Sequence, residues 1–317
     1  MNNSFEKSIS ICKSIANEIN KVIIGKEEAV RLLLIALISG GHVLIEDVPG
    51  VGKTTIVSAL SKAIGINHKR VQLTPDVMAS DIAGFSIIDK NTNDLIFKPG
   101  VVMTNILLAD EINRTSPKTQ SALLEAMEEK SVTVDGTTHY LPKPFMVIAT
   151  ENPLGFLGTY PLPEAQLDRF LLKFSIGYPS LDSEIQIIKQ RKKDNPLNSV
   201  VAVASEQDIV DIQNEVLNIY VDDTILKYIT DLVAATRNNP NVLLAASPRA
   251  SIALLKVASA NALLNGRNYV IPQDVIELFP FVVAHRLVLS PEAKIENLTS
   301  LDIVRNISKE VKAPVLK

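Results

Sequence analysis

Cysteine is nearly missing from this chain: Cys12 is the only one in 317 residues. An intramolecular disulfide is therefore excluded and a cysteine-based metal cluster nearly so, which fits a reducing, cytoplasmic setting. A surplus of positive charge is missing too, since 32 basic against 35 acidic side chains leave a net charge of -3. That balance argues against affinity built on broad phosphate neutralisation. The longest basic cluster, Lys189, Arg191, Lys192 and Lys193, closes an apolar-periodic segment and reads as a solvated helix end. Long apolar runs are absent: the richest, residues 32–38, is far below the roughly 20 residues that span a bilayer. The first residues also lack a basic stretch followed by an apolar one, so no membrane or export signal is expected. His42, His68, His139 and His285 show no metal-ligand spacing, and no G-x-S-x-G elbow supports acyl-transfer chemistry.

What is present suggests two domains, because 46% of the residues are apolar and a domain takes about 100–200 residues. Apolar residues recur at helical steps from Phe5 to Ile19 and again over 28–39. Strand-length apolar runs then appear at 42–46, 70–73, 106–109, 145–149 and 171–175, separated by helical or irregular stretches. This alternation predicts an α/β fold with a mainly parallel sheet covered by helices on both faces. Two alternating stretches, 85–98 and 131–141, read as inserted hairpins, the second around Asp135-Gly136. Strand signals stop beyond Tyr178-Pro179, and helical periodicity takes over near 182–193, 206–218, 223–237, 248–264 and 272–284. The expected division is an α/β domain with N-terminal helices over 1–179 and a small all-α domain over 180–317.

The first chemical signal is a turn between strand and helix that carries Val48, Pro49, Gly50, Val51, Gly52, Lys53, Thr54 and Thr55. A glycine-rich turn there aims backbone N–H groups at an anion, Lys53 can reach the β- and γ-phosphates of a nucleotide, and Thr54 can ligate Mg²⁺. Asp47 stands where such loops usually begin with glycine. The second signal is an apolar strand ending in Asp110-Glu111. At that place Asp110 would hold Mg²⁺ and Glu111 would polarise the attacking water, although two carboxylates leaving a core strand can also be merely solvated. A third signal is Asn152, an amide emerging from the strand at 145–149 where it could orient the same water. Arg169, just before a strand, and Arg249, at the start of a helix opened by Ser247-Pro248, are suited to phosphate, and equally to ion pairs at helix ends.

With these features in this order, the chain resembles the MoxR family of AAA+ ATPases over nearly its whole length. The specific strings are Leu73-Thr-Pro-Asp76, Ser80-Asp-Ile-Ala-Gly84, Asp110-Glu111-Ile-Asn-Arg114, the run from Gly158 to Phe170, and Ala246-Ser-Pro-Arg249. The resemblance implies an AAA+ P-loop core followed by a helical lid, with ATP and Mg²⁺ as cofactors. It implies that Ile23, Ile24 and Gly25 line the adenine pocket, that Asn152 is the sensor 1 amide, and that Arg169 is a finger for a neighbouring subunit's site. Arg249 is expected as the sensor 2 arginine, closing with the lid over the nucleotide bound to its own subunit. Asp47, Glu151 and Leu157 depart from the family pattern.

The implied function is an ATP-hydrolysing, chaperone-like remodeller or maturation factor of protein complexes. It would work as a homo-oligomer, a hexameric ring, with partners such as von Willebrand factor A domain proteins. A nucleotide-gated adaptor is the alternative of a different class, against which stands the presence of Glu111, Asn152 and Arg169 together. A nucleic-acid motor is a further alternative, opposed by the acidic balance and the lack of a basic stripe interleaved with aromatics.

Overall fold

The computed structural model describes residues 3–91, 93–153, 159–193 and 195–315. Two helices, α1 (Asn3–Asn20) and α2 (Glu27–Ile38), lead into strand β1 (Val43–Glu46). After the glycine-rich turn, helix α3 (Lys53–Ile64) is followed by strand β2 (His68–Gln72). A short helix α4 (Ala79–Ala83) opens a hairpin of β3 (Gly84–Ile88) and β4 (Leu95–Pro99). Strand β5 (Ile106–Asp110) and helix α5 (Pro117–Glu129) precede a second hairpin of β6 (Ser131–Val134) and β7 (Thr137–Tyr140). Strand β8 (Met146–Glu151), the short helix α6 (Glu164–Leu167) and strand β9 (Leu172–Phe174) complete this part.

Five of these strands form a sheet in the order β2-β5-β8-β1-β9, with every pairing parallel. The period of two along β1, β5 and β8 divides their side chains between two cores. Val43, Ile45, Ile106, Leu108, Met146 and Ile148 enter one core; Leu44, Leu107, Ala109, Val147 and Ala149 enter the other. Both faces of β1, β5 and β8 are covered, which is why these strands read as continuous apolar runs, whereas the edge strand β2 is largely exposed. The first core also takes in α1, α2, α3 and the helices of the C-terminal part, whereas the second is closed by α5.

A parallel sheet gathers all carboxyl ends on one edge and all amino ends on the other. Helix α5 leaves the carboxyl edge and returns to the amino edge, where His42, just ahead of β1, pins its last turn. The His42 Nε2–H donates to the Met127 carbonyl at 3.1 Å, and Nδ1 accepts the Val147 N–H at 2.9 Å. Burial pushes the imidazole down to about 4, which keeps the neutral form that this donor–acceptor pair requires.

The C-terminal part contains α7 (Leu181–Lys193), α8 (Glu206–Leu217), α9 (Asp223–Arg237), strand β10 (Val242–Leu244), α10 (Pro248–Leu264) and α11 (Pro272–Val283). Strand β11 (Val288–Leu289), α12 (Pro291–Ile295) and α13 (Ser300–Glu310) follow. The helix starts at 248 and 272 fall where Pro predicted them, and Ser247 caps α10 by accepting the Arg249 N–H at 3.2 Å. The C-terminal part is helical, as expected, with one short addition: β10 and β11 pair antiparallel. Each is too short to carry a period in the sequence. Both inserted hairpins lie where the alternation placed them, and Asp135 and Gly136 take φ of 48° and 78°, as a tight I′ hairpin turn demands. Among the described residues no helix is long and apolar enough to cross a membrane.

Candidate active site

The glycine-rich turn sits at the carboxyl end of β1, with β8 and then β5 as its neighbours in the sheet. Gly50 and Gly52 adopt φ of 90° and 96°, in the left-handed region that disfavours any side chain. No atom lies within 4 Å of where a Cβ on either would stand, so the concave side of the turn is open space. Helix α3 begins at Lys53 and adds the positive end of its dipole to that space. The Lys53 Nζ donates to the Asp47 carbonyl at 2.9 Å. Partial burial pushes its ammonium down from the usual lysine range, while the carboxylates of Asp47, Asp110 and Glu111 oppose that shift.

At the end of β5, Asp110 is 6% exposed and held from two sides. The Arg70 Nε donates to its Oδ2 at 2.6 Å from the neighbouring β2, and the Thr150 hydroxyl donates to its Oδ1 at 3.2 Å from β8. The same Thr150 oxygen accepts the Glu111 N–H at 2.9 Å. Glu111 itself takes φ 59° and ψ 55°, left-handed for a residue with a side chain, so the chain reverses sharply there. Backbone strain of this kind collects at functional sites where the surroundings over-determine it. Here Thr150 fixes the N–H, and the Arg114 Nη1 donates to the Glu111 carboxylate at 2.7 Å. Asn152 follows β8 and is buried; its carbonyl accepts from the Asn113 amide at 3.5 Å.

A cavity of about 530 Å³ lies beside the turn. Ile23, Ile24, Gly50, Val51, Gly52 and Thr55 line it, together with Ile176, Tyr178 and Pro179 after β9 and Ile187 and Gln190 of α7. Gly25 takes φ 69°, and a Cβ there would stand 2.3 Å from the Ser183 hydroxyl, so glycine permits α7 to approach. Gly25, and Val48, Pro49, Lys53 and Thr54 of the loop, are not among the residues that line this cavity. The mostly apolar walls beside a phosphate-binding turn suit a nucleotide base.

Arg169 and Arg249 are elsewhere. Their guanidinium groups meet on a single carboxylate: Arg169 Nε lies 3.1 Å from Glu128 Oε2 and Arg249 Nη2 lies 2.7 Å from Glu128 Oε1. Glu128 follows Met127 in the turn that His42 pins to the amino edge, and Leu171 N–H donates to the His42 carbonyl at 2.8 Å. At about 3.3 Å per residue, the length of β1 puts this cluster roughly 15 Å from the chain's own phosphate loop. In this structure Arg249, expected to close over its own subunit's nucleotide, lies instead with Ser247 at the amino edge, opposite the phosphate loop. The Ser247 hydroxyl donates to Asp168 at 3.2 Å. The buried Arg286 grips the same segment, donating to Asp168 Oδ1 at 2.7 Å and to the Phe170 carbonyl at 2.7 Å.

Sequence reading missed Arg70, Thr150, Arg114, Glu128 and Arg286, because each acts through a partner that only the fold brings near. Leu157 and Gly158 lie outside the described residues. Among the described residues no group of three or more His, Cys, Asp or Glu side chains could hold a metal ion.

A five-stranded parallel sheet with a phosphate loop after β1 and an Asp–Glu pair after β5 defines an AAA+ P-loop ATPase core. A family model described as ATPase family associated with various cellular activities (AAA) matches residues 42–172, and an AAA lid domain model matches residues 234–307. The YeaC protein of Bacillus subtilis, itself uncharacterized, is 54% identical over 94% of this chain and 93% of its own. Chaperone MoxR1 of Mycobacterium tuberculosis is 40% identical over 94% of this chain and 81% of its own. A crystal structure of a candidate ATPase from Cytophaga hutchinsonii is similar at a TM-score of 0.92 and 37% identity, covering 98% of this chain and 97% of that one. The chain belongs to the MoxR family of AAA+ ATPases.

Proposed function

We propose that the protein is an ATP-hydrolysing, ring-forming remodeller of protein complexes whose active site is shared between adjacent copies, a hexamer being the ring intended. The observation that carries this reading is the pairing of Arg169 and Arg249 on Glu128, at the sheet edge opposite the phosphate loop. Two guanidinium groups so placed are out of reach of their own subunit's phosphates and in position to face a neighbour's. Both are then finger-like residues acting in trans.

Within one subunit, the Gly50–Thr54 turn takes the phosphates and the cavity lined by Ile23 and Ile24 takes the base. Thr54 and Asp110 offer a divalent cation one hydroxyl and one carboxylate, the donor set that Mg²⁺ accepts when phosphates and water supply the rest. The magnesium ion would draw charge from the developing transition state. Arg70 neutralises Asp110 until a cation shares it. Glu111 takes the proton of the attacking water once its carboxylate is turned from Arg114, and Asn152 orients that water. A neighbour's Arg169 then stabilises charge on the transferred phosphoryl group.

A relative named a chaperone supports a protein client; a von Willebrand factor A domain protein is the partner class that family resemblance suggests, and a cytoplasmic setting fits the near absence of cysteine. The division into 1–179 and 180–317 is part of the same reading. The test is specific ATPase activity against protein concentration, with native mass spectrometry in parallel. Activity per subunit should rise as rings assemble and should not respond to single-stranded DNA. A monomer as active as the assembled form would overturn the shared site, and strong stimulation by DNA would favour a nucleic-acid motor.

A further inference from the structure

Asp47 occupies the position where a phosphate loop of this kind usually begins with glycine. Its side chain is 6% exposed, and a buried carboxylate without partners is costly. The partners it has come from one short stretch. Ser175 donates its hydroxyl to Oδ1 at 2.8 Å, the Ile176 N–H donates to Oδ2 at 2.5 Å, and the Gly177 N–H donates to Oδ1 at 3.1 Å. Successive N–H groups converging on a carboxylate form an anion-binding concavity, here filled by a side chain from 128 to 130 residues away.

The carbonyls of the same stretch are held from the other side. The Lys26 Nζ donates to Ile176 C=O at 2.8 Å and to Tyr178 C=O at 2.6 Å. Residues 175–178 thus hang between an anion on the phosphate loop and a cation beside the base cavity. They also build that cavity, since Ile176, Tyr178 and Pro179 line it and lead directly into α7, which supplies Ile187 and Gln190. The main chain of Asp47 meanwhile binds the phosphate side: its carbonyl accepts from Lys53 Nζ at 2.9 Å, and its N–H donates to the Glu151 carbonyl at 3.0 Å. Phosphates that draw Lys53 toward themselves take it from Asp47, the residue whose carboxylate positions the base wall.

We propose that Asp47 is a positioning residue that ties the phosphate loop to the 175–178 segment and so sets how tightly the base end of a bound nucleotide is held. The proposal rests on the nucleotide-binding reading above and goes beyond it, because it assigns base affinity to a side chain of the loop that touches no base. A glycine at this position would leave the phosphate cradle formed by Gly50, Gly52 and Lys53 in place while releasing the wall.

The test is titration calorimetry on the full chain with Mg²⁺ present, using ADP and, separately, inorganic tripolyphosphate, which has no base. In Asp47→Gly, ADP affinity should fall about tenfold or more, the scale for losing hydrogen bonds to a charged group, and tripolyphosphate affinity should stay within about twofold. The KM for ATP should rise by more than kcat changes. Asp47→Asn, which keeps the size but replaces one acceptor oxygen by a donor, should fall between the two. If Asp47→Gly does not fold, Ser175→Ala removes one donor and keeps the carboxylate, and should give the same split at smaller size. Unchanged ADP affinity in a folded variant, or equal losses for ADP and tripolyphosphate, would overturn the proposal. A wild-type chain that binds neither ADP nor tripolyphosphate would defeat the nucleotide-binding reading itself, and the role of Asp47 with it.

Discussion

At the carboxyl edge of the sheet a lysine, an Asp–Glu pair and two left-handed glycines converge on open space; at the amino edge two arginines share one glutamate. The first edge leaves its turn open, with Lys53 donating to the Asp47 carbonyl and the Asp47 carboxylate turned to residues 175–177. The second carries more cations than it has carboxylates at Glu128, with Lys130 and Lys256 lining the same recess. Each edge supplies what a phosphate site needs and neither is complete. The sheet keeps them a strand's length apart, and in the shared-site proposal they would meet across an interface between two copies of the chain.

Mixing variants puts this comparison to its hardest test. Arg169→Ala should lower kcat by about 10³-fold or more while leaving ATP affinity nearly normal, as for a finger supplied in trans. Lys53→Ala should lose tight ATP binding, since it removes a charge-assisted contact worth about 1.5–3 kcal/mol. Combined, the two should recover part of the lost activity, because one subunit keeps its loop and the other its finger. Arg249→Ala should complement Lys53→Ala in the same manner. Activity at the level of the pure variants, in rings shown by native mass spectrometry to be mixed, would show that the two edges do not cooperate. Failure for Arg249→Ala alone would detach that residue from the trans site.

A smaller effect separates binding from chemistry within the carboxyl edge. Glu111→Gln should keep ATP affinity within several-fold and lower kcat by about 10²-fold, the scale for a lost general base. Losing binding and turnover together would make Glu111 structural or a direct metal ligand.

The smallest effect concerns Glu151, at the end of β8 on the same edge. Burial raises its carboxyl above the usual glutamate range, with Lys173 opposing and Glu46 assisting the rise. The folded state therefore holds this proton more tightly than the unfolded chain does. Its contribution to stability is fully present below the ordinary glutamate pKa and is lost as pH climbs through the raised folded value. Glu151→Gln removes that loss, so Tm measured by calorimetry should favour the variant increasingly across this window and by a constant margin above it. A Tm difference that does not vary with pH would exclude burial of Glu151 as the cause.

Local order was written in the chain. The alternation over 85–98 and 131–141 and the Asp135-Gly136 pair yielded both hairpins, and Ser247-Pro248 yielded the start of α10 with its cap. The phosphate loop and Asp110-Glu111 were equally legible, because a strand, a glycine turn and a helix are adjacent in sequence and their backbone requirements fall on neighbouring residues. Only the tertiary structure decided what each charged side chain faces. Asp47 reads as a lapse in a motif until Ile176, 129 residues on, delivers its N–H. Arg249 reads as a contact to its own subunit's nucleotide until Glu128, 121 residues away, draws it to the opposite edge. Thr150 and Arg70, each 40 residues from Asp110, give no periodic sign of holding it. Secondary structure follows from the shapes and periods of residues within a few positions of one another, whereas charge pairing depends on which strands become neighbours, and that is settled by burying both faces of the sheet at once.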